Sequence, residues 1–194
     1  MTKRDEQKAQ RRADILSVSL DLFVKRGYGS TKVTDIVNEA NISMGLLFHY
    51  FGREEQLYRE LIIMRHQSTN CNMDYECSPI DFFSRSAKGI LKLIGTDTFS
   101  AKLFVFMTQA LHNDGIPVQS KELLSQIDVI ERSVPIIQQG QAVGEIRSGE
   151  PRALSLAFWG AIQGIAQQIV LLPGQPCPDA EWITDILRDS SSKE

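Results

Sequence analysis

A chain of 194 residues has room for one domain or two small ones, and 42 % hydrophobic residues suffice to bury a core. A net charge of −3 argues against a general nucleic-acid coat protein, but the charge is uneven: residues 1–65 carry 11 Lys/Arg against 9 Asp/Glu, and the acidic excess lies beyond them. Cys71, Cys77 and Cys177 show no CxxC spacing, which suits a reducing compartment and offers no metal or redox site. With a charged N-terminus lacking an apolar signal region, the expected location is the cytoplasm.

Lys3, Arg4, Lys8, Arg11 and Arg12 form a basic run, either a solvated tail or, beside the motif downstream, a phosphate-contacting arm. Lys8 to Lys25 reads as a first helix with an apolar stripe of Ile15, Leu16, Leu20, Leu22 and Phe23. Gly27 closes it, as a residue just past a helix end commonly does. Thr31 is placed to cap a short second helix, in which Val33, Ile36, Val37 and Ala40 share one face. Asn41 stands at the turn and tolerates a left-handed backbone. Ser43 can cap a further helix, Met44 to Tyr50, whose Leu47 and the following Phe51 dock on its neighbours. Two short helices joined this tightly form a helix-turn-helix, a unit that lays its second helix in the DNA major groove.

Glu54 to Cys71 is expected as a fourth helix with Leu57, Leu61 and Met64 spaced for burial, and 71–79 as a loop. Helical runs follow at about 80–94, 99–112, 118–143, 152–172 and 179–188, separated by Gly- and Pro-marked breaks, with Pro135 expected to kink the third. No stretch alternates strictly enough for a strand. The low-charge run Leu154 to Leu172 has membrane-spanning length, yet Ser155, Gln163, Gln167 and Gln168 and the lack of flanking Lys/Arg make it a buried or interface helix. The fold class is all-α. An N-terminal three-helix, helix-turn-helix DNA-binding domain is expected over residues 1–52, the helix 54–71 connects, and a C-terminal helical domain follows over 72–194.

Residues 15–61, ILSVSLDLFVKRGYGSTKVTDIVNEANISMGLLFHYFGREEQLYREL, resemble the tetracycline-repressor (TetR) family of bacterial transcription regulators. The resemblance rests on the apolar first helix, Phe-x-x-x-Gly-Tyr, the Thr before the second helix, Asp-Ile, the Ser-x-Gly opening of the third, and the aromatic, His-Tyr and Phe that close it. It implies phosphate contacts from Thr31 and Lys32, and a Gly45 that lets the helix opened by Ser43 approach DNA closely. Met44 and Leu46 would face base edges or the thymine methyl, and His49 and Tyr50 would reach phosphate or a base edge. The chain departs from the pattern where Phe48 replaces a common Tyr and Glu54 a common Lys; Arg53 would supply that charge instead.

One recognition helix reads too few base pairs, so a two-fold dimer on a palindromic operator is expected. Ala157, Gly160, Ala161 and Gly164 allow close helix approach, and Trp182 and Ile186 would extend the dimer interface. The resemblance further implies that 72–194 is a ligand-binding and dimerisation domain and that the chain is a repressor released by a small hydrophobic or aromatic effector, with Phe83, Phe104, Met107, Gln109, His112, Trp159 and Gln163 as candidate effector-binding residues. An effector-independent DNA binder or an activator of the same fold is the alternative. No catalytic motif, cofactor site, metal site or membrane partner is expected.

Overall fold

The computed structural model describes residues 2–68, 77–111, 113, 115–125 and 128–189, and among them every regular element is an α-helix. In chain order these are α1 (Lys3–Arg26), α2 (Val33–Glu39), α3 (Met44–Phe51), α4 (Glu54–Ser68), α5 (Pro79–Thr96), α6 (Thr98–Leu111), α7 (Val118–Ser125), α8 (Val129–Ala142), α9 (Pro151–Leu171) and α10 (Ala180–Thr184). The chain divides into two compact units, Met1–Gln67 with Val105–Ser125, and Ser68–Phe104 with Gln126–Glu194. The first unit therefore reaches past residue 52 to include most of α4 and the later part of α6.

In the first unit, α1 starts one and a half turns before the expected Lys8. Thr2 accepts a bond from the Asp5 N–H while the Asp5 carboxylate accepts from the Thr2 N–H at 2.9 Å, a capping box that nucleates the helix early. The basic run thus lies on helical turns rather than on an extended arm. Arg12 leaves it altogether: its guanidinium meets Glu60 at 2.5 Å and lies 5.2 Å from the centre of the Phe51 ring, bracing α1 against α4 and α3. Beneath these helices Phe23, Tyr28, Tyr58 and Phe106 form one aromatic cluster, with Tyr58 4.8 Å from Phe106 and 5.2 Å from Phe23, both edge-on. Phe23, Tyr58 and Phe106 are buried, as are Ile15, Leu20, Ile36, Leu47, Leu57, Leu61 and Ile62. The Gln109 amide donates to the Val24 carbonyl at 3.2 Å, tying α6 to the last turn of α1.

In the second unit α9 packs along α8, and α5 lies against α8, α9 and α10. Phe83 and Phe158 meet edge-on at 4.9 Å, and the Trp159 indole donates to Ser133 at 2.9 Å. The single run expected over 118–143 is two helices. Asp128 has an extended backbone and its carboxylate accepts from the N–H groups of Ile130 and Glu131 to open α8, which continues through Pro135; residues 126–127 lie outside the described residues. Gly140 in α8 is needed for close approach: a Cβ there would lie 2.5 Å from Ile146 and 3.0 Å from Pro79.

The expected last helix over 179–188 is also shorter. Past α10 the chain turns, and Arg188 pairs with Ile146 in an isolated antiparallel bridge. The Arg147 guanidinium donates to the carbonyls of Asp185 and Arg188, so those carbonyls face a side chain rather than a continuing helix. By length and composition α9 could cross a membrane, but Ser155, Phe158, Trp159, Ile162 and Ala166 on it are buried core of this unit. Cys71 and the rest of the expected 71–79 loop up to residue 76 lie outside the described residues.

Candidate nucleic-acid interface

The turn between α2 and α3 is built by backbone hydrogen bonds that leave α3 little freedom. Asn41 adopts φ 51°, as its tolerance of the left-handed region allows. Its N–H donates to the Asn38 carbonyl at 3.2 Å, and the Ile42 N–H to the Val37 carbonyl at 3.0 Å. That pair of bonds is a Schellman ending, which satisfies the last carbonyls of α2 and reverses the chain. Ser43 then accepts from the Leu46 N–H at 3.2 Å and opens α3. Leu47 and Phe51, four residues apart, are buried and anchor the helix, each worth about 1.5–3 kcal/mol of burial. Gly52, at φ 70°, ends it, with its N–H on the Phe48 carbonyl.

With that face fixed inward, the opposite side of α3 is turned to solvent. Ser43, Met44, Gly45, Phe48 and His49 are exposed, and Leu46 and Tyr50 are half-buried. A Cβ added at Gly45 would touch nothing within 4 Å, so the open surface there belongs to the free unit. His49 and Tyr50 meet edge-on at 5.7 Å. Arg53 is exposed directly after the helix, and Lys32 directly before α2.

Thr31 departs from its expected role. It is only 4 % exposed, and Lys32 rather than Thr31 is the residue that flanks α2. The Thr31 hydroxyl donates to the Gly27 carbonyl at 2.8 Å, and its N–H to the Tyr28 carbonyl at 3.1 Å. Both donors serve the loop that follows α1, so neither is left for a phosphate. The cap of α2 comes from the other direction, as the Asp35 carboxylate accepts from the Lys32 N–H at 3.1 Å. Asp35 also meets Arg26 at 3.4 Å.

The acidic start of α4 has its own electrostatic signature. Burial, and then the neighbouring Glu55 charge, raise the Glu54 carboxyl above the ordinary range for a glutamate. Burial, with Glu54 and Glu55 nearby, pushes the Tyr28 phenol up to about 12. Where the family pattern has a cation, this chain thus holds a partly desolvated carboxylate, with Arg53 one residue away.

The seven candidate effector residues are divided between the two units and the undescribed residues. Phe83, Phe104, Trp159 and Gln163 belong to the second unit, Met107 and Gln109 to the first, and His112 lies outside the described residues. Gln109 is exposed and holds α1, while Phe83 and Trp159 are core side chains, the indole N–H already taken by Ser133. Phe104 and Gln163 are half-buried. Of the expected dimer residues, Ala157, Gly160, Gly164 and Trp182 are exposed, Trp182 at 68 %, whereas Ala161 and Ile186 are half-buried. Leu156, Leu171 and Leu172 are exposed in the same region of the chain. Phe48 was read from the sequence only as a missing hydroxyl. Its spacing four residues from Met44, one position off the Leu47–Phe51 pair, was the available signal that it faces outward.

Residues 15–61 match the model for bacterial regulatory proteins of the tetR family. The uncharacterized HTH-type transcriptional regulator YfiR of Bacillus subtilis is 23 % identical over 162 residues, which cover 79 % of this chain and 77 % of that one. The HTH-type transcriptional repressor KstR2 of Mycolicibacterium smegmatis is 38 % identical over 56 residues, 29 % of this chain and 27 % of the repressor. Among solved structures, the MbdR regulator from Azoarcus sp. CIB has the same fold, with a TM-score of 0.71 over 91 % of this chain and 96 % of that one at 18 % identity. A TetR-like transcriptional regulator from Rhodococcus sp. RHA1 has a TM-score of 0.66 over 91 % and 92 %, at 19 % identity.

Proposed function

Because the chain belongs to the TetR family of bacterial regulatory proteins and is a helix-turn-helix transcriptional regulator, we propose that it is a cytoplasmic repressor that binds a palindromic DNA operator as a homodimer and lets go when a small effector binds. The observation that carries the DNA reading is α3, held by the Ser43 cap and by buried Leu47 and Phe51 while its other face stays open to solvent. In this reading α3 enters the major groove, and Lys32, Arg53, His49 and Tyr50 contact backbone or base edges. The repressor sense is supported by KstR2, a relative named as a repressor that aligns over 56 residues.

The dimer reading is supported by the exposed small residues Ala157, Gly160 and Gly164 on α9, with Leu156 and Trp182 supplying exposed apolar surface. Two such faces can approach closely around a two-fold axis and hold two α3 helices one DNA turn apart, about 34–36 Å. For the effector, α6 is the element to follow, since its residues up to Phe104 belong to the second unit and those from Val105 to the first. A ligand that shifts α6 would reach Phe106, which packs edge-on against Tyr58 of α4. Phe104 and Gln163 are the first effector contacts to test, for a small apolar ligand with one polar group.

The test is footprinting of the purified protein on the DNA flanking its own coding region, sedimentation at micromolar concentration, and a ligand screen for release. A protected palindrome, a dimer, and a ligand lowering affinity about 5–150-fold are expected. A monomer that protects no DNA overturns the reading, and an operator that no ligand releases removes the effector from it.

A further inference from the structure

The open face of α3 is apolar where a recognition helix commonly presents hydrogen-bonding side chains. Met44 is 37 % exposed and Phe48 42 %, with Gly45 between them offering no side chain at all. One helical turn separates Met44 from Phe48, so the two lie one above the other on the same face. Neither can read a base by donating or accepting a strong hydrogen bond. In the major groove the thymine 5-methyl is the one apolar group among the four base edges, and apolar side chains contact it.

We propose that Met44 and Phe48 select operator sites by covering thymine 5-methyl groups, so that a methyl pattern carries part of this chain's site selection. The inference rests on the DNA-binding reading above and names the readers within it. Exposed polar residues adjoin the pair along the chain: Ser43 before it, and His49 and Arg53 after it. Groups able to meet phosphate are thus within a few residues of the apolar pair, as a helix seated in a groove requires. Leu46 drops out of the reading set because it is half-buried.

The experiment starts from duplexes enriched out of a random library by the full chain. The best duplex is then synthesised with deoxyuridine at each thymine in turn, which removes a methyl and leaves every hydrogen-bonding group in place. At two or more positions in each half-site affinity should fall about fourfold, the worth of one buried methyl. Met44→Ala and Phe48→Ala should each erase the thymine-over-uridine preference at one of those positions. Part of each side chain is packed, Met44 being 37 % and Phe48 42 % exposed, so affinities are compared under conditions in which urea unfolding shows both variants fully folded. At the same positions 5-methylcytosine should bind better than cytosine. A duplex bound equally with thymine or uridine throughout overturns the methyl proposal while the DNA-binding reading stands. A preference that survives both alanine variants overturns the assignment to these residues. Failure to enrich any duplex overturns both readings, and a Phe48→Ala variant that changes only the sedimentation coefficient shows the face to be a protein contact instead.

Discussion

Thr31 and Lys32 are adjacent, and the resemblance assigns both to phosphate, yet the structure separates them. Thr31→Val keeps the shape but deletes a hydroxyl that donates to the Gly27 carbonyl at 2.8 Å, from a side chain only 4 % exposed. The net loss of such a bond is about 0.5–1.5 kcal/mol, rising to about 1–3 kcal/mol where the abandoned carbonyl stays buried. The Thr31 N–H bond to the Tyr28 carbonyl survives, so the loop keeps part of its bracing. Gly27 is half-buried, so water can reach its carbonyl, and stability measured by urea unfolding should therefore drop by about 0.5–1.5 kcal/mol. The slope of log affinity against log salt, measured on a generic duplex with the protein fully folded, should not change. Lys32→Ala should do the reverse: its side chain is exposed, so stability holds while the slope becomes shallower by about one. If Thr31→Val leaves stability intact and flattens the slope instead, the internal hydrogen bond is the wrong account of this residue.

Gly140→Ala gains about 1 kcal/mol of helix propensity, but its Cβ would fall 2.5 Å from Ile146, and such overpacking costs about 1–3 kcal/mol. Net destabilisation in chemical denaturation is expected, smaller in an Ile146→Ala background; a more stable Gly140→Ala would contradict the close approach. Glu54 binds its proton more tightly in the folded state than in the unfolded one, so its charged form weighs against folding at neutral pH. Glu54→Gln should raise the thermal midpoint at pH 7, with the gain gone once pH falls below the ordinary glutamate value; an unchanged midpoint at pH 7 would refute it. Gly160→Glu adds a charge where a Cβ meets nothing within 4 Å, so the monomer should fold normally. Sedimentation should then show the dimer lost, and a variant that stays dimeric would move the interface off this face of α9.

The head of the molecule was legible because its signals are local. Asn41 at the turn, the Ser43 cap and the buried Leu47–Phe51 pair depend on side chains within a few residues of the backbone they control, and each is found as expected. Thr31 was misread because its partner is not local to α2: the hydroxyl points back to Gly27, beyond the reach of a rule about helix starts. Arg12 failed in the same way, since a basic side chain in a basic run gives no sign that Glu60 and the Phe51 ring will claim it. The break between α7 and α8 was hidden by helix-compatible residues on both sides, and only the Asp128 cap marks it. Effector residues were least legible, because Phe83 and Trp159 look alike as core or as pocket lining until their partners, Phe158 and Ser133, are known.

The proposed apolar reading face also bears on the proposed dimer. A methyl contact is worth about fourfold in affinity, so two readers in one half-site supply about 16-fold discrimination. Specific binders exceed their own non-specific binding by about 10³–10⁷-fold. Doubling the half-site multiplies the preference to about 250-fold, which still falls short and leaves the rest to DNA shape and to His49 and Tyr50. On the proposed reading a single copy of this head would bind DNA mainly through Lys32 and Arg53, with affinity set by salt and little choice of sequence. If the exposed face of α9 pairs two copies as proposed, that pairing converts weak reading into site selection, and loss of the dimer should reduce the specificity ratio more than it reduces non-specific affinity per head.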